Sequence, residues 1–310
     1  LDLSAEVLLV LVTPLYIWTI MTRAIGLYGI AIAALYWWAQ VMIKLEIGPL
    51  SLVDGQFWIF AITCGVLGSG WFLMGALLNN YLLISQRELE ASRALQQASS
   101  AKYSMFDALN QLSLARDNET GSHILRTQHY VRVIALALRD LSTPHASQLN
   151  DETIEAMFLA APLHDVGKVG IPDSILLKPG KLTESEWTVM KTHALIGENV
   201  LLSAADEAGS ADLKIAGDLA GGHHEKWNGT GYPRALAGEA IPLSARIMAI
   251  ADVYDALTSS RVYKSAWSHA EAKSEIASLS GTQFDPQVVK AFFAAETEIV
   301  LIAEQFKDQD

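Results

Sequence analysis

Five segments of this 310-residue chain carry side chains that bind cations. Glu119 and His123 are four apart. His164 and Asp165 are adjacent and precede Gly167-Lys168. His193 closes Met190-Lys191-Thr192-His193, His223 and His224 form a pair, and Asp252 and Asp255 are three apart. Spacings of three and four place Glu119 with His123, and Asp252 with Asp255, on one face of a helix. Imidazole and carboxylate without thiolate suit Fe, Mn, Zn or Ni rather than a structural zinc finger. Five histidines, Asp165, Asp252 and Glu119 offer more donors than one four-coordinate ion can use, so their convergence requires at least two metals. Two cations about 4 Å apart share a hydroxide and clamp the phosphoryl oxygens of an in-line displacement. Each segment alone is a weak signal, because an isolated histidine is usually packed or on the surface. His129, His145 and His269 have no fitting neighbours and are set aside as non-ligands.

The elements that must bring these segments together read as helices. Helical periodicity runs over His123–Asp140, Asp151–Val166, Glu184–Leu202, Ser244–Thr258 and His269–Ser278. Thr183, with Glu186 three residues on, forms a capping-box signature before one of them. Lys178-Pro179-Gly180 and the run from Asn228 to Pro233 mark loops. No segment alternates as a strand does, so the expected fold class is all-α.

Composition divides the chain. Up to Ile84 the charged residues are Asp2, Glu6, Arg23, Lys44, Glu46 and Asp54, and almost all remaining charge lies downstream. Three apolar runs, Val7–Thr22, Ala24–Ile43 and Phe57–Ile84, read as transmembrane helices, the first short and interrupted by Pro14. Asp2 and Glu6 stand where a signal peptide would be basic. Arg23, Arg87 and Arg93 put the part after Ile84 in the cytoplasm by the positive-inside rule. The expected organisation is a transmembrane region over 1–84, a helical linker over 85–114 and a catalytic domain over 115–310. Linker helices of this composition are suited to pairing in a homodimer. The net charge of −12 argues against duplex nucleic acid as a partner, since phosphate backbones bind basic faces. Cys64 is the only cysteine, which excludes an intrachain disulfide and a thiolate metal site.

From Ala115 to Phe293 the chain resembles the HD-GYP family, a branch of the HD-domain metallophosphohydrolases. The resemblance rests on ordered motifs: Arg116 to His123, Leu163 to Asp173, Lys178 to Thr183, Met190 to His193, and His223 to Pro233. Ile241-Pro242-Leu243, Asp252 to Leu257, Arg261 to Lys264 and Phe284-Asp285-Pro286 complete them. It implies an all-helical bundle that hydrolyses cyclic di-GMP, to the linear dinucleotide or to GMP, by attack of a metal-bridging hydroxide. The implied ligands are Glu119, His123, His164, Asp165, His193, His223, His224 and Asp252, with Asp165 bridging. Two or three divalent ions are implied, iron or manganese, and Glu119 is the residue of the three-metal version.

Lys168 is expected to neutralise charge that develops on the phosphate or leaving oxygen. Tyr232, on a loop where Gly231 permits unusual backbone geometry, is expected at the pocket rim. Arg261 and Lys264 resemble the family's phosphate-contacting pair. Asp255 is expected near the substrate, orienting Lys168 or a ligand imidazole. Asn228 stands where many relatives carry Asp, a departure that bears on loop stability. Diguanylate-cyclase-type proteins are implied partners, and the bacterial inner membrane the location. Two alternatives stay open: a cyclic-dinucleotide binding module with weak catalysis, and a hydrolase of another cyclic nucleotide or dinucleotide.

Overall fold

A computed structural model of the chain describes residues 55–114, 121–141, 144–259 and 266–308. Among these residues there are helices and short 3-10 turns but no β-strand, only isolated bridges joining Asn228 to Ala237 and Ser280 to Phe284. The helices are α1 (Gly55–Leu114), α2 (Gly121–Asp140), α3 (Asp151–Ala160), α4 (Asp173–Leu176), α5 (Glu184–Met190) and α6 (His193–Ala208). They continue as α7 (Ala211–Gly222), α8 (Leu243–Thr258), α9 (His269–Ser278), α10 (Pro286–Ala294) and α11 (Glu296–Gln305). The apolar runs Val7–Thr22 and Ala24–Ile43, together with Glu119, Arg261 and Lys264, lie outside the described residues.

The chain divides into two compact units, Leu1–Ala98 and Ser99–Asp310, so the division falls within α1. In the first unit Val66, Trp71, Phe72, Leu73, Met74, Leu77 and Tyr81 are exposed on α1. The third apolar run, expected to span a membrane, belongs to this helix, where Gly68, Ser69, Gly70, Asn79 and Asn80 interrupt it. Among the described residues no helix is long and apolar enough to cross a membrane.

The second unit is built around α2. Ile124, Thr127, Tyr130, Val131, Ile134, Ala135 and Leu138 recur at helical spacing and are buried. This stripe packs against α3, α8, α10 and α11, while α7 lies against α3, α6 and α8. Tyr130 meets Tyr254 edge to face at 5.3 Å between centroids, and Tyr254 meets Phe292 at the same distance. Such aromatic pairs add directionality to apolar burial. The last turns of α1 join this unit through buried Phe106, the Tyr103 hydroxyl donating to Glu155 Oε1 at 2.7 Å, and a 3.1 Å ion pair between Lys102 and Asp212.

Two expected helices are broken. The run Asp151–Val166 stops at Ala160 and continues as 3-10 turns over Ala161–Leu163 and Val166–Gly170. Pro162 offers no N–H and its ring clashes with the preceding turn, so the α-helix cannot pass it. The run Glu184–Leu202 divides into α5 and α6 at Lys191-Thr192. There Thr192 Oγ1 donates to the Val189 carbonyl at 2.6 Å and His193 Nδ1 to the Met190 carbonyl at 2.7 Å. These side chains take carbonyls that the next helical N–H groups would have used. The capping box at Thr183 and Glu186 is formed as the spacing predicts.

Candidate metal centre

Five of the seven donors sit where helices break or end, while His123 and Asp252 lie within α2 and α8. His164 follows the 3-10 turn Ala161–Leu163, His193 opens α6, and His223 follows the last residue of α7. Each places its Nδ1 on the carbonyl three residues earlier: His164 on Ala161 at 2.9 Å, His193 on Met190 at 2.7 Å, His223 on Ala220 at 2.9 Å. A carbonyl only accepts, so Nδ1 carries the proton and Nε2 keeps its lone pair. His123 uses a carboxylate instead, with Nδ1 2.9 Å from Asp255 Oδ2.

The freed atoms converge in two groups. Asp165, His193, His223 and His224 each present one donor atom within 4.8 Å of the others, and so do His123, His164 and Asp252. The two groups adjoin: the His123 and His164 rings are 5.6 Å apart, those of His164 and His223 5.2 Å, and those of His193 and His224 5.1 Å. Asp165 lies between them, its Oδ2 3.1 Å from His164 Nε2 and its Oδ1 3.1 Å from His193 Nε2. Nε2 of His193, Nε2 of His223 and Oδ1 of Asp165 are buried without a hydrogen bond. Buried polar atoms are almost always satisfied, and acceptors that face one another are satisfied by cations. The donor set therefore fits divalent metal.

The electrostatics agree with that use. Burial opposes the charge of Asp165, but the opposing causes, Lys168 first among them, outweigh it and hold its pKa well below the usual carboxylate range. Burial pushes His223 well below the ordinary imidazole value, with His224 adding to the shift, and burial lowers His224 to about 4. Both rings are therefore neutral at pH 7, the form that binds metal.

Of the thirteen residues singled out in the sequence, ten are described and stand at or beside this centre. His123, His164, Asp165, His193, His223, His224 and Asp252 supply its donor atoms. Lys168 Nζ pairs with Asp165 Oδ2 at 2.8 Å, from a 3-10 turn. Asp255 meets a ligand imidazole, that of His123. Tyr232 stacks on His224 at 4.6 Å and lies 6.5 Å from His193, at the edge of the donors.

The Tyr232 loop is held by residues that the sequence reading passed over. Glu225, buried, accepts from the backbone N–H of Arg234 at 2.7 Å and of Leu236 at 3.0 Å. Arg234 in turn forms a short ion pair with Glu198. Asn228 Oδ1 accepts from Thr230 N at 3.0 Å and Thr230 Oγ1 at 2.7 Å, so the amide supplies the acceptor that an aspartate would. Gly231 is required for space and not for a left-handed backbone. A Cβ there would lie 2.3 Å from Lys226 N and 2.5 Å from Glu225 Cα. Arg126 is a further omission: it donates from Nε and Nη2 to the two oxygens of Asp255 at 2.5 and 3.0 Å. Its only sequence signal is its place three residues after His123.

The profile of the HD domain family matches residues 94–288. A cyclic di-GMP phosphodiesterase of Vibrio cholerae is 51% identical over 233 residues, which cover 74% of this chain and 47% of that protein. A cyclic di-GMP phosphodiesterase of Thermotoga maritima is 40% identical over 67% of this chain and 53% of its own length. A 3'3'-cGAMP-specific phosphodiesterase 2 of Vibrio cholerae is 39% identical over 63% of this chain and 35% of its own. The chain spans about half the length of the curated relatives it matches, or less.

Proposed function

Because the chain belongs to the HD domain family, we propose that it is a metal-dependent phosphodiesterase of the HD-GYP branch, acting on cyclic di-GMP. The observation that carries this reading is the pair of adjoining donor groups, His123, His164 and Asp252 beside Asp165, His193, His223 and His224. Relatives named for cyclic di-GMP hydrolysis support the substrate. Divalent ions held by these residues supply Lewis acidity and a water acidified for attack on phosphorus.

The chain's own side chains do the rest. Three histidines, fixed through Nδ1 by backbone carbonyls, hold their lone pairs in place without reorganisation. Lys168, paired with Asp165 and partly exposed, sets a positive charge next to the donors where an anionic phosphate would lie. Tyr232, with one face on His224, offers an aromatic edge to a guanine base at the rim. Arg261 and Lys264 are proposed to meet the second phosphate, and Glu119 to add a ligand for a third ion. Iron or manganese is the proposed metal, consistent with nitrogen and oxygen donors alone.

Attachment to the bacterial inner membrane is also proposed. It is supported by the charge-poor first 84 residues and the exposed apolar side chains of α1. A homodimer through α1 and contact with diguanylate-cyclase-type proteins complete the proposal. The test is turnover of cyclic di-GMP by protein loaded anaerobically with Fe(II) or Mn(II), with products separated by chromatography. Linear dinucleotide or GMP supports the reading. Bound metal without product favours a binding module, and faster cleavage of 3'3'-cGAMP would change the substrate.

A further inference from the structure

His164, His193 and His223 lean on neutral carbonyls, whereas His123 leans on Asp255, and Asp255 is itself gripped. Arg126, buried three residues along α2 from His123, engages both Asp255 oxygens, at 2.5 Å through Nε and 3.0 Å through Nη2. Ser259 bridges the pair, accepting from Arg126 Nη2 at 2.8 Å and donating to Asp255 Oδ2 at 3.1 Å. The other side of the guanidinium is fixed by the chain beyond α11. Nη1 donates to the Phe306 carbonyl at 2.8 Å and pairs with Asp308 at 3.3 Å. Phe306 is fixed in turn by stacking on His129 at 5.0 Å. A planar fork bound on both sides has one orientation, and it transmits that orientation to Asp255 and so to the His123 ring.

We infer that Arg126 is a positioning residue for one of the two donor groups only, holding His123 through Asp255 so that the His123, His164 and Asp252 group takes its cation. This rests on the metal-dependent reading above. In the other group His193 and His223 draw on backbone carbonyls, and among the described residues no hydrogen bond ties Asp165, His193, His223 or His224 to Arg126.

The experiment is Mn(II) titration of the full chain and its Arg126→Gln variant, read by ion stoichiometry and by electron paramagnetic resonance. The wild type is expected to show exchange-coupled ions. R126Q should bind one ion about 10- to 100-fold more weakly, the usual cost of losing such an outer partner, and show isolated Mn(II) instead. Arg126→Lys, which keeps the charge but loses the fork, should recover part of that affinity. Should R126Q fail to fold, Asp255→Asn takes its place with the same expected selective loss. Wild-type affinity for every ion in the folded variant, or equal weakening of all ions, overturns the inference and leaves the proposed function standing. A wild-type chain that binds no Mn(II) removes both.

Discussion

Gly167 lies directly against the backbone of His193. A Cβ on Gly167 would stand 1.9 Å from the His193 carbonyl oxygen and 2.5 Å from Gly197 N. The 3-10 turn that carries Lys168 is thereby seated across the first turn of α6, which fixes Asp165 relative to His193. Gly167→Ala would force two backbones apart, and no flexible side chain is available to yield. Overpacking of this kind costs about 1–3 kcal/mol or more. G167A is therefore expected to lower the melting temperature and to lose metal from the Asp165 and His193 group. An alanine variant with unchanged melting and metal content would contradict this placement.

Glu225 should matter for substrate and not for metal. Its two oxygens accept from the Arg234 and Leu236 amides and hold the loop that presents Tyr232. Hydrogen bonds to a charged group contribute about 1.5–3 kcal/mol. Glu225→Ala is expected to raise KM for cyclic di-GMP roughly tenfold or more while the metal content stays at the wild-type value. Loss of metal in E225A, or an unchanged KM, would show that the loop does not depend on this carboxylate.

The metal-free protein should lose stability as pH falls from about 6.5 to about 4. Burial lowers the His224 pKa to about 4, against an ordinary imidazole value near 6.5. Between those values the unfolded chain binds a proton that the folded ring refuses, so stability rises with pH across that window. His223 is shifted in the same direction by burial. Asp165, held below its ordinary value, adds a loss at lower pH as it protonates. Melting temperatures of the apoprotein from pH 7 to 4 measure this, and a flat profile would contradict it.

Ile134 tests the core that supports the centre. It is fully buried on α2 within the cluster that includes Tyr130, Ile247 and Phe292. Ile134→Ala is expected to destabilise by about 2–5 kcal/mol in urea unfolding. A loss below 1 kcal/mol would mean that α2 is not the centre of the packing.

What the sequence made legible was chemical identity more than path. The donors were readable through the ordered motifs that resemble the HD-GYP family; the pairs His164-Asp165 and His223-His224 are weak signals by themselves. Their geometry depended on helix breaks. The expected run Asp151–Val166 passes over Pro162, the residue that ends the α-helix, and the break at Thr192 arises from side-chain hydrogen bonds that periodicity does not register. α7 escaped notice because Gly217, Gly221 and Gly222 dilute its apolar stripe, although those small residues let it pack closely. Nothing in the sequence marks Arg126 or Glu225 as buried. The fold buries Arg126 against Asp255, far along the chain, and Glu225 against the amides of its own loop.

The central claim is that two adjoining donor groups hold metal and that the metal acts on a phosphodiester. One purified sample, loaded with Mn(II) under anaerobic conditions, answers it when ion content and cyclic di-GMP products are measured before and after chelation. The account predicts at least two ions per chain and linear product that disappears with the chelated metal and returns on reloading. Fewer than two ions in the folded chain, or hydrolysis that persists after complete chelation, would contradict it.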